Sequence, residues 1–153
     1  MKSVTNSLTT PNDPYAYVDR GHVWCGKGEY DRALADYHRA LAVDPKYAYT
    51  YAGLAWLQAT CPNGKFRDGK EALENAHKAS QLNGSKDWRL IGILAAAYAE
   101  SGDFDKAKEW EAKAIELAAT DKSATAVRDR ERFRSSLELY KQGKPYREEA
   151  KKK

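Results

Sequence analysis

Residues 14–47 read PYAYVDRGHVWCGKGEYDRALADYHRALAVDPKY, and they carry a regularly spaced set of small residues. Gly21 is followed by Ala33 and then, seven positions later, by Ala40. Alanines at this spacing lie about two turns apart on one face of a helix, where a second helix can approach closely. Pro45 cannot continue such a helix. The stretch therefore predicts two helices packed as a hairpin.

The same set of small residues occurs twice more along the chain. Its members are Ala55, Ala72 and Ala79 in the second copy, and Ala95, Ala107 and Ala114 in the third. Self-similarity with a period of about 20 to 50 residues is typical of stacked-repeat proteins, in which each hairpin buries its apolar face against its neighbours. The sequence thus predicts an all-α protein built from three stacked hairpins.

These residues resemble the tetratricopeptide repeat (TPR), whose motif is W-x2-L-G-x2-Y, then A-x3-F, then P, over about 34 residues. The first unit follows the motif with Tyr17, Gly21, Trp24, Ala33, Tyr37 and Pro45, and departs from it at Arg20. The second has Tyr51, Leu54, Ala55, Gln58, Ala72, Ala76 and Ala79. The third has Ile91, Leu94, Ala95, Tyr98, Ala107, Glu111 and Ala114. The resemblance covers residues 14–120 and implies a right-handed α-α superhelix.

The repeats also define the predicted domain boundaries. The three hairpins are expected at residues 14–47, 48–85 and 86–120. They follow a leader, residues 1–13, that is rich in Ser, Thr, Asn and Pro and is predicted to be flexible.

A broken apolar stripe of Val127, Phe133, Leu137 and Tyr140 follows the third repeat. It predicts that residues 121–143 form a helix that caps the last hairpin, since a solenoid otherwise ends on an open apolar face. Residues 144–153 are then expected to form a basic tail.

The turn inside the second unit is longer than the other two. The small residue of the first helix and the alanine of the second are 12 residues apart in units one and three, but 17 apart in unit two. The extra residues lie within 59–68, ATCPNGKFRD, where Pro62 must end the preceding helix. Asp68 and Glu71 predict a capping box, with Asp68 accepting from first-turn amides and Glu71 reaching back.

Three segments together resemble a subgroup of bacterial TPR chains. They are the ATCPxGxxRDGK-type turn, the stretch AAAYAESGDF at 95–104 and the stretch GKPYRE at 143–148. In that subgroup such arrays often form the C-terminal part of longer proteins, some of which contain kinase domains. The resemblance leaves open that this chain is one piece of a longer protein.

Composition favours a soluble cytoplasmic protein. The mean hydropathy is −0.81, and no apolar run approaches the length of a membrane span. The net charge of +4 is concentrated near one end, because residues 121–153 hold 11 Lys or Arg against 6 Asp or Glu. The repeats themselves are close to neutral.

The sequence offers no pattern of catalytic or metal-binding residues. Cys25 and Cys61 occupy equivalent places on adjacent hairpins, where small buried thiols are expected. His22 lies one turn from Cys25, but this spacing matches no zinc motif. There is no Gly-rich phosphate loop and no nucleophile elbow. We therefore predict neither an enzyme nor a metal or cofactor site.

The TPR resemblance implies that the first helix of each hairpin lines a concave face. The positions that point into it are occupied by Tyr15, Val18, His22 and Cys25, by Tyr49, Ala52, Trp56 and Ala59, and by Arg89, Gly92, Ala96 and Ala99. Of these we predict a partner-binding groove formed by Tyr15, Val18, His22, Tyr49, Ala52, Trp56 and Arg89. Aromatic anchors at Tyr15, Tyr49 and Trp56 would suit a protein or peptide segment. Whether Tyr49 and Trp56 are groove or core residues stays open at this stage.

Two other functions remain possible from the sequence. Arg128 and Arg132, and likewise Arg130 and Arg134, are one turn apart and could bind nucleic acid or another acidic surface. Interleaved acidic residues make this the less favoured alternative. Weak self-assembly through the repeat ends is the other. The pair of lysines with which some TPR domains hold the C-terminal carboxylate of chaperones is absent, so that ligand is disfavoured.

Overall fold

A computed structural model describes residues 12–150, and within this range it is helical. Its α-helices are α1 Pro14–Gly26, α2 Tyr30–Val43, α3 Ala48–Thr60, α4 Gly69–Asn83, α5 Trp88–Glu100, α6 Phe104–Ala118 and α7 Ala124–Lys141. Most of the predicted flexible leader, residues 1–13, lies outside the described residues, as do residues 151–153 of the predicted tail.

Consecutive helices pair as hairpins, α1 with α2, α3 with α4 and α5 with α6. The hairpins stack in order, because α3 contacts both α1 and α2, and α5 contacts both α3 and α4. Helix α7 packs on α6 and touches α5. The predicted all-α stack of three hairpins followed by a closing helix is therefore confirmed.

The spaced small residues lie in the seams between helices. The fully buried members are Ala33, Ala40, Ala55, Ala72, Ala79, Ala95, Ala107 and Ala114. A methyl side chain lets two backbones approach closely, so the large residues of each seam pack beside the alanines. The sequence pattern thus marks the lines along which the helices meet.

Tyr37 of α2 fills the space between α1 and α3. A Cβ atom added to Gly21 would lie 2.5 Å from the Tyr37 Cε1 atom, and one added to Gly53 would lie 2.8 Å from it. The tyrosine is fully buried and cannot move away. Glycine is therefore required on both neighbouring helices.

We expect Gly21→Ala to lower the free energy of unfolding by about 1 to 3 kcal/mol, because the new methyl group overpacks the seam against Tyr37. Gly26→Ala is the matched control, since it lies in the same helix and a Cβ there meets nothing within 4 Å. The control should be neutral or slightly stabilising. Urea unfolding of both variants measures the difference, and equal effects would contradict this packing.

The long turn between α3 and α4 folds back onto the end of α3. The Asp68 side chain accepts from the Glu71 N–H at 3.1 Å, as the capping box requires. The Asp68 N–H, however, donates to the Gln58 carbonyl at 2.9 Å. The predicted return bond from Glu71 is therefore wrong, because the N–H that it would satisfy already has a partner. Arg67 adds a second anchor, since its Nη1 donates to the Cys61 carbonyl at 2.7 Å.

Helix α7 covers α6 with a different stripe from the one predicted. Its buried residues are Ala126, Asp129, Phe133, Ser136 and Tyr140. Val127 is exposed, so its place in the predicted apolar stripe is wrong. The buried stripe includes the polar residues Asp129 and Ser136. A search for apolar residues in the sequence does not find them.

Candidate functional site

The first helices of the hairpins and α7 enclose a concave surface, which we call the groove. It contains a cavity of about 550 Å³. Ala52, Gly53 and Ile93 form its small and apolar floor, while Tyr49 and Trp56 stand at its sides. Ala52 and Gly53 contribute little side-chain volume to this floor, where the Tyr37 ring packs against Gly53.

The structure brings five of the seven predicted groove residues together around this cavity, namely His22, Tyr49, Ala52, Trp56 and Arg89. Val18 needs correction, because it is 2% exposed and packs in the core between α1, α2 and α3. Tyr15 is 61% exposed but lies outside the cavity, where its ring stands 4.5 Å from that of Tyr47.

Trp56 and Tyr49 belong to both the core and the groove. Each is half-buried and packs against a hydrophobic cluster on one side. On the groove side, the Arg132 guanidinium lies 4.8 Å from the Trp56 ring centroid, and the Tyr49 hydroxyl donates to Asp87. The exposed edges of both rings are therefore available to a ligand, while their inner faces support the fold.

Arginines from two helices give the groove its charged rim. Arg89 on α5 forms an ion pair with Asp87 at 2.9 Å, and Arg132 on α7 lies 3.9 Å from Asp129. Arg128 also lines the groove, and its side chain has no hydrogen bond or ion pair within residues 12–150. The rim thus carries three arginines against two aspartates, with one guanidinium open to a ligand.

Burial and hydrogen bonding set the charge state of two further groups. Burial raises the pKa of Asp87, but hydrogen bonds from Arg89 and Tyr49 outweigh it and hold this pKa below its usual value. Asp87 is therefore ionised at neutral pH and keeps Arg89 in place. Burial lowers the pKa of His22, whose Nδ1 lies 2.9 Å from the Tyr37 hydroxyl, so His22 is neutral.

Residues 144–149, which follow α7, cross one end of the groove, and we call them the strap. Gly143, the residue before the strap, has a φ of 69°. The Tyr146 ring lies 5.6 Å from the Trp56 ring, and Arg147 Nη2 donates to both carboxylate oxygens of Glu100 at 2.6 and 3.2 Å. Trp56 Nε1 in turn donates to Glu148 Oε1 at 3.0 Å. Residues 144–149, which are part of the expected basic tail, pack against the repeats through these contacts.

A smaller cavity of about 150 Å³ lies between the strap and the ends of α1 and α3. Cys25 and Cys61 both line it, and both are free thiols. Burial raises the pKa of each thiol above its ordinary value, so both stay protonated at neutral pH. Since the thiolate is the reactive form, these cysteines act here as small lining residues.

Residues 14–47 match the family model of the tetratricopeptide repeat. The match covers the first hairpin, α1 and α2, and supports the TPR resemblance of the sequence. Among solved structures, the TPR domain of Sgt2 from Aspergillus fumigatus is similar, with a TM-score of 0.61, 20% identity, and coverage of 92% of this chain and 89% of that chain. At this identity the likeness shows the TPR fold. A search of the curated proteins finds no significant match. The bacterial subgroup stays a prediction.

The arginines of α7 do not form one continuous basic face on this TPR fold. Arg130 Nη1 donates to the Asp121 carbonyl at 2.8 Å and to the Ala118 carbonyl, so it closes the end of α6. Arg134 pairs with Glu131 at 3.0 Å. The Arg130 and Arg134 pair considered for nucleic-acid binding is therefore occupied by contacts within the chain.

Neither a metal centre nor a membrane span is found in the part of the chain that the structure describes. Between residues 12 and 150, no group of three or more His, Cys, Asp or Glu side chains is placed to hold a metal ion. None of the helices in this range is both long and apolar enough to cross a membrane.

Proposed function

We propose that this chain is a non-catalytic protein-interaction module whose groove binds an extended segment of a partner protein. The observation that carries the proposal is the combination of a cavity of about 550 Å³ with an apolar floor, two partly exposed aromatic rings and an unpaired guanidinium at its rim. Tyr and Trp supply large contact areas at low entropic cost, and they dominate binding hot spots. The TPR likeness adds a fold suited to this use.

The rim charges indicate what such a segment carries. Arg128 faces the cavity without an ion partner among the described residues, and Arg89 is half of a rim ion pair. A carboxylate on the partner would gain a charge-assisted hydrogen bond at Arg128 without breaking an existing contact. An apolar side chain beside that carboxylate would reach the floor at Ile93. We therefore expect an acidic and apolar segment.

Removing the rim charges should weaken partner binding without unfolding the protein. We expect Arg89→Ala/Arg128→Ala to reduce affinity about tenfold and to weaken its dependence on salt, because both side chains are exposed at the rim. The partner would be captured from native extract with a photo-crosslinker at the position of Thr125, which lines the groove. The captured protein would then be titrated against both forms.

Lys70→Ala/Lys78→Ala is the matched control, since it removes the same charge from exposed positions on α4. It should bind as the wild type does. Equal loss of binding in both double variants would mean that only overall charge matters. No loss in either would place the binding surface outside the groove.

A further inference from the structure

The strap packs at the Trp56 end of the groove through the kinds of contact that a bound peptide would make. Its backbone donates one hydrogen bond to the repeats, from the Glu148 N–H to the Thr60 carbonyl at 2.8 Å. Its side chains add an aromatic contact at Tyr146, an ion pair at Arg147 and a hydrogen bond at Glu148. Trp56 of α3 makes both the aromatic contact and the side-chain hydrogen bond, and Glu100 of α5 makes the ion pair, so two receptor side chains contact three consecutive strap residues.

The long turn of the second hairpin builds part of this receptor site. Glu100 lies 3.3 Å from Arg67 Nε of the turn and 2.6 Å from Arg147 Nη2 of the strap, so it joins the two segments. Helix α3 ends at Thr60, and a helix leaves its last carbonyls without partners of its own. The turn satisfies the Gln58 carbonyl, whereas the strap satisfies that of Thr60. Any extended chain with a free N–H at this point could replace the strap there.

The strap is attached weakly compared with the helices. Residues 145–148 are only half-buried, and residues 144 and 149 are exposed. Pro145 favours an extended conformation, which lowers the conformational entropy that the strap loses when it packs against the repeats. Because the strap is tethered directly to α7, its effective concentration at the groove is in the millimolar range, so modest contacts suffice to keep it bound.

We propose that residues 144–149 are an intramolecular ligand of the Trp56 end of the groove, and that the part of a partner segment that reaches this end has the same aromatic–arginine–glutamate chemistry and binds by displacing them. This inference rests on the proposed function. It adds the kind of sequence that is recognised and the segment of this chain that competes for the same contacts. Trp56 lies at the centre of the exchange. Its indole N–H and its ring both contact the strap, and the same side chain lines the open cavity.

The test uses the full chain and a labelled peptide of residues 143–150, GKPYREEA. Tyr146→Ala/Arg147→Ala releases the strap and leaves Trp56, Thr60 and Glu100 intact. We expect this variant to bind the peptide at least tenfold more tightly than the wild type, whose tethered strap competes. A scrambled peptide should not bind. The NMR signal of the Trp56 indole N–H should shift in the variant and return towards its wild-type position when the peptide is added.

Lys141→Ala/Lys144→Ala is the control, because Lys141 is exposed at the end of α7 and Lys144 is exposed at the first position of the strap. It should behave as the wild type. Failure of the folded strap variant to bind the peptide, or equal binding by variant and wild type, would overturn the proposal. If the double variant does not fold, Arg147→Ala alone is used with the same two criteria, since Arg147 is only half-buried. The rim double variant tests partner capture separately, so each proposal can fail without the other.

Discussion

Arg20→Ala is expected to lower the free energy of unfolding by about 3 to 5 kcal/mol, because it leaves a buried carboxylate without its main partner. Arg20 is 8% exposed and Asp36 is 1% exposed. Their side chains form two hydrogen bonds, each 2.7 Å long, between α1 and α2. Among residues 12–150 only the exposed Arg39 also reaches Asp36, at 3.4 Å, so little would compensate the aspartate after the substitution.

Two further variants separate the buried pair from its surface neighbour. Arg39→Ala removes the weaker contact and should change stability by less than about 1 kcal/mol, because exposed ion pairs contribute little. Arg20→Leu/Asp36→Leu replaces both charges with apolar groups and should recover most of the loss. Chemical denaturation of the three proteins gives the comparison. A loss below about 1 kcal/mol for Arg20→Ala would show that Asp36 finds water or another donor.

Glu111→Gln is expected to stabilise the protein at pH 8 and to leave it nearly unchanged near pH 4. Glu111 is 2% exposed, and its Oε1 has no hydrogen-bond partner among the described residues. Burial raises the pKa of Glu111 to about 8, although the Arg132 charge and the Tyr140 hydroxyl partly oppose this effect. The carboxyl group is therefore mostly protonated at neutral pH in the folded protein.

The sign of the pH dependence follows from the difference between the two states. The unfolded chain releases the Glu111 proton near pH 4.5, whereas the folded chain keeps it up to about pH 8. Between these values the folded state binds more protons, so stability falls as the pH rises. Above about pH 8 the loss of stability is complete. It is on the order of several kcal/mol, at about 1.4 kcal/mol per pKa unit.

Thermal unfolding from pH 4 to pH 9 measures this effect. The Glu111→Gln protein should lack most of the decline, because glutamine has no proton to release. Glu109→Gln is the control on the same helix, since Glu109 is exposed, and it should follow the wild-type curve. If the stability of the wild type and that of Glu111→Gln declined in parallel as the pH rises, the buried carboxyl group would not be the source of the decline.

The helices could be predicted from the sequence because their causes are local or periodic. Helix α2 ends at Val43, directly before Asp44-Pro45, and it contains the spaced Ala33 and Ala40. The capping residues Asp13, Asp68 and Asp103 each accept from amides of the turn that follows. Such signals act over a few residues, so they can be read in order along the chain.

The candidate site could be predicted only in part. Tyr49, Trp56 and Arg89 lie on the groove because helical periodicity fixes which face of α3 and α5 they occupy. Val18 lies on the corresponding face of α1 but is buried, because the neighbouring hairpin covers that part of the helix. Burial depends on what packs against a face, and periodicity does not contain that information.

The sequence by itself determined the three hairpins, their seams and the aromatic residues that flank the groove. Only the tertiary structure decided that Arg20 and Asp36 pair in the interior, that Glu111 is buried at an aromatic position of the repeat, and that the strap lies on Trp56. The physical reason is distance along the chain. Trp56 and Glu148 are 92 residues apart, and no repeat or capping rule relates positions so separated. They meet because the stacking of the hairpins places α7, and the strap that follows it, beside the groove.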